Sequence, residues 1–247
     1  FHGVGVNNAY QYEANGYVPT GAALVVENVG GETGYDEIEA IHISNGTFIS
    51  DNSDAVQSFT AGMTGVAAQT AFVYGGKFNT EISSDYLAEN LVLQDNGEGM
   101  YSPISNPALT YEAQIGEYKY TTLAAAIEAA NASEPVKLLT DVTLTEFVEL
   151  GVNGLVLDLS GYTVTANCKK AFEVYANTTI KNGTIIAEQR CVDTRTNVSL
   201  TLEALSLEAT SLKHGNPQPI TIGGSDHGTN VEMNNVNINA PLGYGII

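Results

Sequence analysis

The sequence predicts an all-β chain: a parallel β-helix (solenoid) with a short capping helix and a β-hairpin between two partial units. Three observations predict it. One six-residue shape recurs along the chain, its third position is small or Asn each time, and a single Ala-rich helical stretch interrupts the pattern. Recurrence at a fixed period is the signature of stacked repeats and takes precedence over local propensity.

The shape first occurs as Ile43-Ser44-Asn45-Gly46-Thr47-Phe48 and returns as Val73-Tyr74-Gly75-Gly76-Lys77-Phe78. Leu159 to Val164, Ile180 to Ile185, Leu202 to Leu207 and Met233 to Ile238 follow it. The starts at Leu159, Ile180 and Leu202 are almost evenly spaced, as single coils would be, and the step on to Met233 is longer by a loop insertion. A short alternating strand points every second side chain inward. Asn or Gly then lets the backbone turn, since both tolerate left-handed geometry. Stacked coils align equivalent apolar positions and bury a core that no single coil could cover. An antiparallel sandwich would instead show frequent turn signals, one after each short strand, and no long-period recurrence.

Two stretches leave the repeat. Leu123 to Ala130 reads as a helix, with Thr121 or Thr122 as N-cap and Leu123, Ile127 and Ala130 on one face. Such a helix before the first coils would cover the open end of a solenoid. Ser83 to Asn90 reads as a capped single turn, and Leu91 to Gln94 with Asp95-Asn96-Gly97 as a hairpin ending near Pro103. These signals divide the chain into 1–104, the end of one unit with its closing turn and hairpin; 105–111, a linker; and 112–247, the start of a second unit with its capping helix. The chain opens at Phe1 without Met, which reads as processing or as a piece of a longer protein. Both ends are then expected to be cut within coils, leaving faces open to end-to-end self-association.

The 75–103 stretch, GGKFNTEISSDYLAENLVLQDNGEGMYSP, resembles the closing motif of β-helix units in modular, secreted bacterial surface proteins. The 113–144 stretch, AQIGEYKYTTLAAAIEAANASEPVKLLTDVTL, resembles the opening motif of the same units, and LVLDLSGYTVTA and TTIKNGTI resemble their first coils. The resemblance covers residues 70–104 and 112–186. It implies a right-handed parallel β-helix of the pectate-lyase-like type, at the cell surface or outside a bacterial cell. Lyases, glycosidases and non-catalytic adhesins share that fold, so it implies no activity by itself.

Charge excludes some partners. The chain carries 28 Asp and Glu against 9 Lys and Arg, a net charge of −19. Residues 1–111 hold 13 acids and one base, and the remainder 15 and 8. Nucleic acid and anionic membrane surfaces need clustered cations and are excluded. No apolar run is long enough for a helix to insert in a membrane.

Six of the nine bases fall between residues 169 and 213. Within that window Arg190, Asp193 and Arg195 are the candidate catalytic residues, with Lys170 and Lys181 one coil earlier. A lyase would use Arg195 as base and Asp193 as calcium ligand; a surface ion-pair network is the alternative. Asp36, Glu37 and Glu39 read as a solvated acidic loop. His214, Asp226, His227 and Tyr175 are the candidate ligand-binding residues, on loops 189–195, 213–217 and 224–228 or beside them. Cys168 and Cys191 are separated by close to one coil, which leaves a disulfide open. No metal site is expected: Asp95, Asn96 and Glu98 lack the EF-hand spacing, and no cofactor is called for, with a Ca2+ ion left as an open alternative that no motif supports.

The expected function is that of a non-catalytic structural or adhesive module whose partner is a glycan or a host or cell-surface protein. A carbohydrate-active lyase or glycoside hydrolase, and an inert spacer, are the alternatives.

Overall fold

Strict alternation of apolar and polar residues along very short strands builds this structure. In Val142–Leu144 and Val148–Leu150 the outer two residues are buried and the middle one is exposed. The computed structural model describes residues 1–5, 9–11, 17–19, 21–27, 41–59, 68–195, 197–223 and 228–246. The chain is all-β with parallel sheets and falls into two units, Phe1–Ala108 and Leu109–Ile247. Each unit has its own hydrophobic core.

In the second unit three parallel columns line the core. Val136, Leu157, Ile180, Leu202 and Met233 lie opposite one another in turn. Val142, Val164, Ile185, Leu207 and Ile238 form the second column. Val148, Phe172, Val192 and Ile220 form the third. Strand neighbours are about 4.8 Å apart, so each column is a continuous apolar stack. Its interior members are fully or nearly fully buried, and each contributes roughly 1.5–3 kcal/mol.

The first two columns are joined through a corner that repeats. Thr178–Ala187, Ser199–Ala209 and Asn230–Asn239 are long strands bent at Asn182, Ala204 and Asn235, whose φ angles are 60°, 50° and 54°. These residues stack in register, because Lys181, Glu203 and Asn234 pair just before them. Left-handed backbone favours Asn over other residues with a Cβ. Gly183 follows for a second reason: a Cβ there would sit 2.5 Å from Leu159 Cβ and 2.6 Å from the Tyr162 carbonyl oxygen.

The earliest of these repeats departs from the spacing read in the sequence. Its sixth position, Val164, is in register, but Leu157 rather than Leu159 faces Ile180. The turn through Ser160 and Gly161, both at positive φ, is therefore wider than its successors.

One edge of the main sheet is covered. The parallel strand Val136–Leu138 pairs antiparallel with Ala113–Ile115, which pairs antiparallel with Tyr118–Tyr120. The helix Leu123–Glu128 then places Leu123, Ala126 and Ile127 in the core. Its cap is Thr122, whose Oγ1 accepts from the Ala125 amide at 3.2 Å, while Glu112 Oε2 accepts from the Leu123 amide at 2.7 Å. The other edge is Asn230–Asn239. There Met233 is 40% exposed, against 0% for Leu202 one repeat earlier.

The first unit uses the same local devices. Thr47–Ser50 runs parallel to His2–Gly3 and to Lys77–Phe78, and Leu24–Glu27 parallel to Val56–Phe59. Phe1, Phe48 and Phe78 stack at centroid distances of 5.0 and 5.2 Å. Leu91–Asp95 and Tyr101–Ser105 form an antiparallel hairpin, with Asp95 Oδ1 accepting from the Gly97 amide at 2.8 Å. Asp95 therefore serves the turn.

Ile180 tests the inward row most directly. Ile180→Asp buries a charge with no partner and should cost several kcal/mol, lowering the thermal midpoint of the second unit by roughly 10 °C. An unchanged melting curve by circular dichroism would show that the row does not face the core.

Candidate functional site

Among the described residues, the third column carries the densest cluster of charged side chains. Lys170–Val174 and Arg190–Thr194 pair in parallel, with Lys170 opposite Arg190, Phe172 opposite Val192 and Glu173 opposite Asp193. Phe172, Val174 and Val192 lie in the core, so strand alternation turns Glu173 and Asp193 to the opposite face. Two like charges in register repel, and both are nonetheless buried, at 1% and 8% exposure. Cations close over them.

Lys170 forms an ion pair with Glu173 and lies 3.6 Å from Asp193 Oδ2. Arg190 Nη1 donates to Asp193 Oδ2 at 2.8 Å. Arg195 Nη2 pairs with Glu173 Oε1 and donates to the Tyr175 hydroxyl at 3.4 Å. Two exposed rings flank the cluster: Lys170 Nζ sits 4.4 Å from the Phe147 centroid, and Arg195 Cζ 5.3 Å from that of Tyr175. Phe147, Cys168, Lys169, Lys170 and Glu149 line an adjoining recess of about 550 Å³.

This geometry brings Arg190, Asp193, Arg195 and Tyr175 together on one sheet face. The Tyr175 hydrogen bond, and after it the Glu173 charge, raise the Arg195 pKa above its already high ordinary value. Arginine is cationic with or without that shift, so Arg195 stands here as a charge and a hydrogen-bond donor. Asp193 is engaged by Arg190 and Lys170. Lys181 belongs elsewhere, between Asp158 and Glu203 on the neighbouring strands.

His214 belongs to a second cluster. Its Nε2 lies 2.6 Å from Glu188 Oε2, and Lys213 Nζ donates to Glu188 Oε1 at 3.2 Å. The Lys213 hydrogen bond, then that of His214, hold the Glu188 carboxyl below the usual range. Gln189 Nε2 donates to the His214 and Asn216 carbonyls at 2.7 and 3.3 Å. The 213–216 segment is therefore clasped onto residues 188 and 189. Asp226 and His227 lie outside the described residues, as does the acidic stretch with Asp36, Glu37 and Glu39.

Glu173 escaped the sequence reading, although a signal for it exists. Lys-Ala-Phe-Glu-Val at 170–174 and Arg-Cys-Val-Asp-Thr at 190–194 share one order: base, small residue, apolar residue, acid, β-branched residue. That echo, on two strands that pair in parallel, identifies Glu173 as the counterpart of Asp193. Phe147 carries no comparable signal, because it precedes its strand.

The disulfide left open by the spacing is not formed; both thiols are free. Lys170 faces Arg190 and Phe172 faces Val192, so Cys191 lies opposite Ala171, three positions from Cys168. Cys168 Sγ donates to the Lys170 carbonyl at 3.1 Å. Cys191 Sγ lies 3.2 Å from the carbonyl oxygens of both Ile185 and Glu208. Burial pushes the Cys191 thiol up to about 12 and raises that of Cys168 as well.

No family model, curated protein or solved structure matches the chain.

Glu173→Gln should destabilise the second unit by roughly 1–3 kcal/mol, because three cations then share one buried carboxylate. An unchanged urea midpoint would place the pairs at the solvated surface in energetic terms. Cys191 gives a pH signature. A thiol whose folded pKa exceeds its unfolded value adds stability that is complete below the unfolded value and is lost as pH rises towards the folded one. Between pH about 9 and about 12 its contribution should fall by roughly 1.4 kcal/mol per pH unit. Cys191→Ser should show a shallower loss in alkaline unfolding titrations; identical slopes would refute the burial of the thiol.

Proposed function

We propose that this chain is a non-catalytic structural or adhesive module of a secreted or surface-attached bacterial protein. In this reading it is built from parts of two right-handed parallel β-helix units, and its partner is a glycan or a host or cell-surface protein. The parallel columns with repeating left-handed corners support the architecture. The resemblance of the 75–103 and 113–144 stretches to closing and opening motifs supports the family and the extracellular location.

One observation carries the functional reading. Glu173 and Asp193, the two buried acids of the row that begins at the exposed Glu149, are each paired with Lys or Arg. A proton-transfer site needs one acid or base free to exchange a proton with substrate. A network in which both buried acids are ion-paired instead holds exposed rings and cations in fixed positions, which suits recognition. Tyr175 and Phe147 offer apolar faces for a sugar or an aromatic side chain, and Arg190 and Arg195 offer hydrogen-bond donors. The apolar row at Asn230–Asn239 is where end-to-end association of copies would form.

A glycan array probed with the whole chain tests the proposal. Binding weakened about tenfold by Tyr175→Ala, with an unchanged melting temperature, is the expected result. No binding to any glycan or to cell-surface protein would leave the spacer reading. Release of unsaturated or reducing ends from a polysaccharide would establish an enzyme and overturn the proposal.

A further inference from the structure

Asn45 and Gly46 form the corner between the Ile43 bridge and the Thr47–Ser50 strand of the first unit. The Gly46 amide donates to the Asn45 side-chain Oδ1 at 2.7 Å. The amide carbon Cγ lies one C=O bond, about 1.23 Å, beyond that oxygen. Gly46 has no Cβ to shield its nitrogen and sits at φ +123°. Asn45 is exposed, so hydroxide and water reach it.

We propose that Asn45 is a site of spontaneous self-modification, closing on Gly46 to a succinimide that opens to aspartate and isoaspartate. Hydroxide removes the Gly46 N–H proton, and a rotation of the Asn45 side chain then brings Cγ, the carbon bonded to the oxygen that had accepted that proton, in front of the electron pair left behind. A bond forms between Gly46 N and Asn45 Cγ. The Cγ–Nδ2 bond breaks, and ammonia leaves with a proton from water, which restores the hydroxide. Water then adds to one of the two ring carbonyls and opens the ring. One water enters, one ammonia departs, and nothing is oxidised or reduced. The contribution of the fold is orientation.

The other Asn–Gly pairs are held away from this reaction. The Gly154 amide donates to the Asn177 carbonyl at 2.8 Å, and the Gly97 amide to Asp95 Oδ1 at 2.8 Å. Asn182 Nδ2 donates to Asp158 Oδ1 at 3.1 Å, and Gly183 is fixed in the ladder opposite Leu205. Asn15 and Gly16 lie outside the described residues.

The product matters to the first unit. Isoaspartate lengthens the backbone by one carbon at a corner whose carbonyls are in use. Ile43 O accepts from the Tyr74 and Gly75 amides at 2.8 and 3.0 Å, and Gly46 O from the Lys77 amide at 2.8 Å. A Cβ on Gly75 would already lie 2.2 Å from the Ser44 carbonyl oxygen, so this contact cannot absorb the extra length. Either product also adds a negative charge to a unit with 13 acids and one base through residue 111.

The test is incubation of the full chain at mildly alkaline pH and body temperature, followed by peptide mapping with enzymatic methyl-labelling of isoaspartate. Asn45 should convert roughly tenfold faster than Asn96, Asn153 and Asn182, with a rate that rises with hydroxide concentration. Asn45→Gln, whose ring would need one more atom, should abolish conversion at that position. Equal rates at the four sites in the folded chain would overturn the proposal. So would a preference for Asn45 that persists unchanged in urea, since local sequence would then be its cause.

Discussion

In a parallel ladder each strand binds the next through evenly spaced backbone hydrogen bonds, so a side chain's nearest neighbours are its counterparts one repeat away. That constraint organises the second unit. Once Leu157, Ile180 and Leu202 are in register, every inward position is decided, because a one-residue slip would turn each apolar row outward. The corners obey the same rule. Asn182, Ala204 and Asn235 share left-handed backbone because a different turn in one repeat would misplace the strand that follows. Only two of the three are Asn, so the stack holds Ala204 in a geometry that Ala alone disfavours.

Register also explains the charges. The residues that stack Phe172 on Val192 in the core stack Glu173 on Asp193 outside it. Repulsion between those carboxylates is answered by bases from the same two strands and the residue just after them, Lys170, Arg190 and Arg195. A chain with 28 acids and 9 bases thus places three of its bases around two acids. Elsewhere Lys213 serves Glu188. Lys170, Arg190 and Arg195 thus sit where like charges are forced together.

Local signals were legible in the sequence and non-local ones were not. The helix from Leu123 and its Thr122 cap follow from propensity and capping chemistry within a few residues. So does the hairpin through Gly97. The small third position of the repeat corresponds to the bent corners of the later strands. What escaped depends on how much chain a turn absorbs. The wider turn at Ser160 and Gly161 shifted the facing residue from Leu159 to Leu157, and an even shift preserves alternation, so nothing in the pattern betrays it. Turn length also decides that Cys191 faces Ala171, three positions from Cys168. At the charged cluster Arg190, Asp193 and Arg195 stood out by composition, whereas Glu173 required the parallel partner strand, and the clasp of His214 on Glu188 joins positions far apart in the chain.

The long step from Leu202 to Met233 has a practical meaning. It takes up more chain than the step from Ile180 to Leu202 before it, yet the strands on either side pair without a shift. The additional chain leaves and re-enters the ladder at fixed points. Closing a longer excursion there costs only about 0.6 kcal/mol for each doubling of its length. Chain length and ladder geometry are thus uncoupled at this position, which makes it a natural port for grafting: a foreign epitope inserted there would be displayed beside the sheet while the hydrogen-bonded frame beneath it stayed as it is.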